Sequence, residues 1–333
     1  MSTSTPPPAV LVTRRLAPGV LERLAAHCEV RHHDSELPMP RAELLAAAAG
    51  CSALLTTLDD TVDGPLLDAA GPALRLVANH AVGTHNIDRA ACAERGVAVS
   101  NTPGVLTEAT ADMAWALLLA ATRRLGEGER LLRAGTSWAW APTFMLGMEL
   151  SGTPLGILGM GRIGQAVARR AAGFGMPVSY HNRHRLPADL EQGAGWLPLD
   201  DLLAGSPVLV VTAPLNAATR HLVDADRIAR MPRGAVLVSM TAGVVDEEAL
   251  AAALDAGHLF AAAVDNFEHE PAVPAALLAQ ERAVLAPHLG SATVRTRQAM
   301  GDLAVDNVLA ALAGGEPPTR VTPPPTAAPP SSP

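Results

Sequence analysis

The run Leu155-Gly156-Ile157-Leu158-Gly159-Met160-Gly161-Arg162-Ile163-Gly164 decides the fold. Its four apolar-rich residues read as a buried strand, and glycines at positions one, three and six of the next hexamer follow directly. Ile163, Val167 and Ala171 then repeat at helical spacing, and Gly175 can close that helix. The first glycine permits a tight turn. The second lets backbone amides approach a pyrophosphate, and the third lets helix and strand pack closely. The helix N-terminus adds partial positive charge for an anion. Glycine triplets occur by chance, but one in register between strand and helix predicts a dinucleotide-binding Rossmann unit. Gly159, Gly161, Arg162, Ile163 and Gly164 are its candidate cofactor contacts.

Working outward, apolar runs continue at Val178–His181, Val208–Thr212, Ala235–Ser239, Ala262–Asp265 and Val284–Ala286, separated by helical patterns. A similar series precedes them: Ala9–Thr13, Glu29–His32, Ala53–Thr56, Leu74–Asn79 and Val97–Asn101. Strands alternating with helices predict parallel sheets covered on both faces. Two series predict two doubly wound α/β domains: a flavodoxin-like substrate domain and an inserted Rossmann dinucleotide-binding domain. Thr107–Arg123 reads as a long joining helix, and Ala292–Leu312 as a helix returning to the first domain. The expected boundaries are 9–103 plus 292–314 for the substrate domain and 104–291 for the cofactor domain. Residues 1–8 and 315–333 are rich in Pro, Ser and Thr and are expected to be disordered tails.

Composition narrows the function. The chain has 333 residues and a net charge of −8, which argues against a nucleic-acid partner. It contains no lysine, which excludes Schiff-base chemistry and a Walker-type phosphate lysine. No apolar run reaches the ~20 residues of a membrane span. The first residues lack the basic and apolar regions of a secretory signal, so a cytoplasmic location is expected. Cys28, Cys51 and Cys92 are too few and too scattered for a disulfide framework or a zinc site.

The second strand of the cofactor domain ends at Tyr180-His181 and runs into Asn182-Arg183-His184-Arg185. An NAD-selective site usually places Asp or Glu there, on the ribose 2′-hydroxyl. Two arginines and a histidine suit the 2′-phosphate of NADP(H) instead. NADP(H) is therefore favoured, with NAD(H) as the alternative.

Several further stretches carry a resemblance. They are Asn79-His80-Ala81-Val82-Gly83-Thr84-His85-Asn86-Ile87-Asp88, Asn101-Thr102-Pro103-Gly104, Thr107–Asp112, Glu268-His269-Glu270-Pro271 and Pro287-His288-Leu289-Gly290-Ser291. From Ala9 to about Gly314 the chain resembles the D-isomer-specific 2-hydroxyacid dehydrogenases, especially the glyoxylate/hydroxypyruvate reductase branch. The resemblance implies a homodimeric oxidoreductase that moves hydride between a nicotinamide and a substrate carbonyl. It implies His288 as proton donor and Glu270 as the carboxylate that holds it and favours its charged form. Asn79, His80, Val82 and Gly83 would contact substrate. Thr107, Ala213, Pro214, Met240, Asp265, His288 and Ser291 would contact cofactor, with Asp265 on the nicotinamide amide. Trp138, Trp140 and Phe144 would lie at the dimer interface, and Met145 and Met148 at the entrance to the site. His32, His33 and His221 are expected at the surface.

One motif breaks. The family's carboxylate-clamping arginine sits in a segment of the form Asn-Thr-x-Arg-Gly-x-x-Val-Asp. Anchored on Val245-Asp246, its place falls on Thr241, and no arginine lies between Arg233 and Arg282. A neutral hydroxyl cannot replace two charge-assisted bonds of ~1.5–3 kcal/mol each. The sequence therefore favours a reductase of a carbonyl or imine other than a simple 2-oxo acid. Two alternatives stay open: a conventional glyoxylate/hydroxypyruvate-type enzyme with a replacement clamp, and a non-catalytic dinucleotide-binding regulator.

Overall fold

The computed structural model describes residues 7–322. The chain divides into two compact units, one from residues up to Leu106 together with those from Thr293 on, the other Thr107–Ala292. In the first, β1 (Ala9–Val12), α1 (Val20–Ala25), β2 (Glu29–His32), α2 (Arg41–Ala48) and β3 (Ala53–Thr56) alternate. Then come α3 (Gly64–Ala70), β4 (Leu76–Asn79), α4 (Arg89–Glu94) and β5 (Ala98–Ser100). The strands form a parallel sheet in the order β2-β1-β3-β4-β5. That is the flavodoxin-like order, which places a topological switch between β1 and β3.

Alternate residues of these strands serve the two faces. Leu11, Leu54 and Val77 pack with Leu44 and Leu66, while Val10, Val12 and Leu55 pack with Leu24, Val305 and Val308. The last two belong to the final helix, Val294–Leu312, which therefore covers the first sheet.

The second unit opens with α5 (Thr107–Thr122) and α6 (Leu125–Arg133). Next come β6 (Leu155–Leu158), α7 (Arg162–Ala171), β7 (Val178–His181), α8 (Ala188–Glu191), β8 (Gly195–Trp196) and α9 (Leu199–Ala204). The remainder is β9 (Val208–Val211), α10 (Ala225–Arg230), β10 (Ala235–Ser239), α11 (Glu247–Asp255), β11 (Leu259–Val264), α12 (Ala275–Leu278) and β12 (Ala283–Leu285). With the final helix as α13, the series is complete. All seven strands are parallel, in the order β12-β11-β10-β9-β6-β7-β8. The switch falls between β6 and β9, so the phosphate loop emerges at the place where such sheets bind ligands. Val208 and Val210 pack on one face with Trp115 and Leu118, and Leu209 and Val211 on the other with Leu202 and Leu250.

Both doubly wound sheets are as the alternating pattern predicts. The short β8 has no counterpart among the expected strands, since two residues carry no periodicity. Residues 315–322 depart from the expected tail. Val321 N donates to Val99 O at 2.7 Å, and Thr319 Oγ1 to Asn101 O at 2.6 Å. β5 is an edge strand with free backbone groups, and this segment satisfies them. At the other end, Glu29 N donates to Pro8 O at 3.0 Å. The rest of both expected tails lies outside the described residues. No helix among the described residues is long and apolar enough to cross a membrane.

Candidate active site

The phosphate loop is built by sterics. Gly159 has φ +101°, and a Cβ there would collide with the backbone of Ala213 after β9. A Cβ on Gly164 would collide with the carbonyl of Gly159. Neither position accepts a side chain without moving main chain. Gly161 is different: a Cβ would meet nothing within 4 Å. The space beside it is open, as a backbone approached by a ligand requires. The N–H groups of Arg162 and Ile163 opening α7 have no acceptor among the described residues. Free amides at the start of a ten-residue helix fit a pyrophosphate. The loop is braced from β7, where Asn182 Oδ1 accepts from Met160 N at 2.7 Å.

Beyond Asn182 the two arginines separate. Arg185 is bound to Glu191, Nε to Oε1 at 2.8 Å, and Tyr180 donates to the same carboxylate at 2.8 Å. Arg185 and then Tyr180 hold the Glu191 carboxyl below its usual range. Arg185 is thus paired within the unit. Arg183 and His184 are exposed and have no partner among the described residues.

The chemical end lies on the loops after β10, β11 and β12. His288 Nδ1 sits 2.9 Å from Glu270 Oε2, and Phe267 N donates to Glu270 Oε1 at 2.9 Å. The histidine backbone is left-handed at φ +54°, a conformation uncommon among L residues. It persists because the turn is held from several sides. His288 N donates to Asp265 O at 2.8 Å, and the Asp265 carboxylate accepts from Leu289 N at 2.7 Å and Gly290 N at 2.9 Å. Asp265 is 1% exposed, and burial pushes its carboxyl up in spite of those donors. Its side chain shapes the histidine turn. Met240 and Ser291 are buried as well, and Met240 belongs to the core. Thr107 opens α5, Ala213 is buried and Pro214 exposed.

Two features of these loops escape sequence reasoning. Asn266 Nδ2 lies 2.9 Å from His288 Nε2, the nitrogen that Glu270 does not use. His221, expected at the surface, is paired with Glu268 at 2.6 Å, and Arg220 joins the same carboxylate. His221 N also donates to Gly243 O at 2.8 Å, tying the loops after β9, β10 and β11. Burial raises the Glu268 carboxyl, but His221 and Arg220 outweigh it and hold it low. No local pattern announces either contact, because each joins residues more than twenty positions apart. Thr241 and Ala242 are half-buried in the turn after β10.

In the first unit, the loop after β4 is set by neutral polar bonds. Asn79 is fully buried; it accepts from Thr56 Oγ1 at 3.0 Å and donates to Gly83 O at 2.8 Å. Asn101 Nδ2 donates to Val82 O at 2.8 Å. His80 is also buried, and burial and the nearby Arg297 charge pull its pKa down to about 4. Asn79 and His80 therefore help to shape the loop. What the loop presents is backbone: the N–H groups of exposed Val82 and Gly83 have no acceptor among the described residues.

Known proteins are similar along nearly the whole chain. The NAD-binding domain of the D-isomer specific 2-hydroxyacid dehydrogenases matches residues 115–290. A glyoxylate reductase of Thermococcus onnurineus is 44% identical, over 94% of this chain and 96% of its own. That of Aeropyrum pernix is 45% identical over the same shares. Among solved structures, a Thermus thermophilus protein superposes with a TM-score of 0.88 at 44% identity, covering 94% of this chain and all of its own. An NADPH-dependent glyoxylate/hydroxypyruvate reductase of Sinorhizobium meliloti, solved with NADP and malonate, gives 0.83 at 37% identity over 94% and 96%. A steric phosphate loop, a bonded His–Glu pair and relatives aligned along nearly their whole length converge: the chain belongs to the D-isomer specific 2-hydroxyacid dehydrogenase family and is an NAD(P)-dependent oxidoreductase.

Proposed function

We propose that the protein is an NADPH-dependent reductase of short 2-oxo acids of the glyoxylate and hydroxypyruvate class. The observation that carries this is the His288–Glu270 pair, bonded at 2.9 Å in the unit that also holds the open phosphate loop. The glyoxylate reductases among the relatives support it over the reading drawn from the missing arginine.

Arg162 and Ile163 would hold the pyrophosphate through their free backbone amides, in the space left open beside Gly161. Arg183 would meet the 2′-phosphate, with Arg185 left to Glu191. A bound reduced nicotinamide supplies the hydride for the substrate's carbonyl carbon. His288 supplies the proton to the carbonyl oxygen from Nε2, since Nδ1 faces Glu270. Glu270 favours the charged imidazole and fixes the ring. The free amides of Val82 and Gly83 would receive the substrate carboxylate and take over part of the missing clamp.

A second register for that clamp, one residue on from Thr241, fits one backbone feature of the turn. Gly243 has φ +66°, which suits the glycine that follows the arginine in the family motif. Anchored on Gly243, the loop is one residue short and Ala242, rather than Thr241, stands where the arginine would be. Either register lacks a cation.

A second association concerns the face around α6. Leu125, Leu132, Trp138, Trp140 and Leu146 are exposed, with Trp140 at 80%. Their apolar character supports burial against a second copy in a homodimer.

The test is NADPH oxidation with glyoxylate and hydroxypyruvate. Turnover with either, and its loss in His288→Gln, is expected. Tight NADPH binding without turnover of any 2-oxo acid would overturn the reading.

A further inference from the structure

We propose that Thr319 of the C-terminal segment is a positioning residue for substrate recognition: through Asn101 it fixes the peptides of the loop after β4 and keeps the N–H groups of Val82 and Gly83 turned out for a carboxylate. The proposal rests on the reading that these two amides receive the carboxylate of the substrate.

The amides are aimed from their carbonyl sides. A peptide group is planar and trans, so fixing its oxygen fixes the direction of its N–H. The N–H of Val82 shares a peptide with the carbonyl of Ala81, which accepts from Thr102 N at 2.8 Å. The N–H of Gly83 shares one with the carbonyl of Val82, which accepts from Asn101 Nδ2 at 2.8 Å. Asn79 Nδ2 holds the next carbonyl, that of Gly83, at 2.8 Å. Asn101 and Thr102, which directly follow β5, therefore act on both amides.

Asn101 is held in turn from the far end of the chain, within the same unit. Thr319 Oγ1 donates to Asn101 O at 2.6 Å, and Asn101 N donates to Thr319 O at 3.4 Å. The threonine is fixed by Asn307 of α13, which is fully buried. Asn307 Nδ2 donates to Thr319 Oγ1 at 2.8 Å, and Thr319 N donates to Asn307 Oδ1 at 2.9 Å. Asn307 Nδ2 also donates to Leu303 O at 2.8 Å, so both of its hydrogens are used. A hydroxyl that accepts from this amide sends its own proton to Asn101 O. The bonds exceed what closing an edge strand requires. Val321 N on Val99 O serves the strand, whereas Thr319 grips the residue whose side chain reaches Val82.

The experiment uses the full chain with Thr319→Val and Thr319→Ala, which lose the hydroxyl, so that one folded variant suffices. Thr319→Ser keeps the hydroxyl, and Asn101→Ala breaks the next bond in the series. kcat/KM is measured with NADPH for glyoxylate and for glycolaldehyde, which lacks the carboxylate. Loss of the hydroxyl is expected to lower the glyoxylate-to-glycolaldehyde ratio about three- to tenfold, through a raised KM for glyoxylate, with NADPH affinity near wild type. Thr319→Ser should keep the wild-type ratio, and Asn101→Ala should lower it at least as far as Thr319→Val. In the ligand-free protein, the backbone amide NMR signals of Val82 and Gly83 should shift in Thr319→Val and stay in place in Thr319→Ser. An unchanged ratio in a protein whose wild type prefers glyoxylate, an equal fall for both substrates, or unmoved amide signals in a folded variant overturns the proposal. If the wild type does not prefer glyoxylate, the reading of the amides fails, and the NMR arm still decides whether Thr319 sets them.

Discussion

The phosphate loop and the turn after β10 follow strands of the same sheet, yet on the sequence reading one keeps the family's motif and the other departs from it. At Gly159 and Gly164 the fold itself demands glycine, because a methyl group would strike the main chain of Ala213 and Gly159. At Thr241 and Ala242 the side chains are half-buried, and the bonds that shape the turn run through backbone groups, such as Ser239 Oγ to Thr241 O. The difference teaches which motifs are structural. Residues that pack against their own chain are fixed whether or not ligand is present. A residue whose work is done on ligand alone can change, and the fold registers nothing.

The largest effect should separate chemistry from binding. His288→Gln is expected to lower 2-oxo acid reduction about 10²–10⁴-fold while NADPH affinity, read by fluorescence titration, stays near wild type. Loss of both together would mean that the two ends are not separable. Gly164→Ala should do what His288→Gln does not. Overpacking against the Gly159 carbonyl should cost about 1–3 kcal/mol of stability in thermal or urea unfolding, and NADPH binding should fall with it. A variant as stable as wild type would remove the steric argument.

Restoring the missing cation probes the other side of the comparison. Ala242→Arg is expected to raise kcat/KM for glyoxylate by roughly ten- to a hundredfold, from a charge-assisted bond of ~1.5–3 kcal/mol, with a smaller gain for Thr241→Arg. The reverse ranking would return the motif to the register anchored on Val245-Asp246. The smallest effect is at the cofactor's far end. Arg183→Ala should weaken NADPH severalfold relative to NADH, and Arg185→Ala should leave that ratio unchanged, since Glu191 already neutralises Arg185.

Much of this architecture is legible in the sequence for a physical reason. Alternating apolar runs and helical patterns specify both sheets, because buried parallel strands must be apolar on both faces. The glycine spacing specifies the phosphate loop because it encodes backbone clearance. The His288–Glu270 pair is reached only through the family resemblance, since eighteen positions separate its members and no periodicity joins them. Asn266 and the His221–Glu268 pair are illegible for the same reason. Asp265 and His80 are legible as motif positions, but their burial is not, because burial belongs to the folded chain. The segment 315–322 reads as a tail by composition and is held by the backbone of an edge strand, which composition does not describe.

The central claim, a reductase that recognises the carboxylate of a short 2-oxo acid, is tested most directly by the ratio of kcat/KM for glyoxylate to that for glycolaldehyde, which lacks the carboxylate, with NADPH at one pH. The account predicts that glyoxylate is preferred by roughly tenfold or more, through charge-assisted bonds to the free amides of Val82 and Gly83. Equal or faster reduction of glycolaldehyde would contradict it.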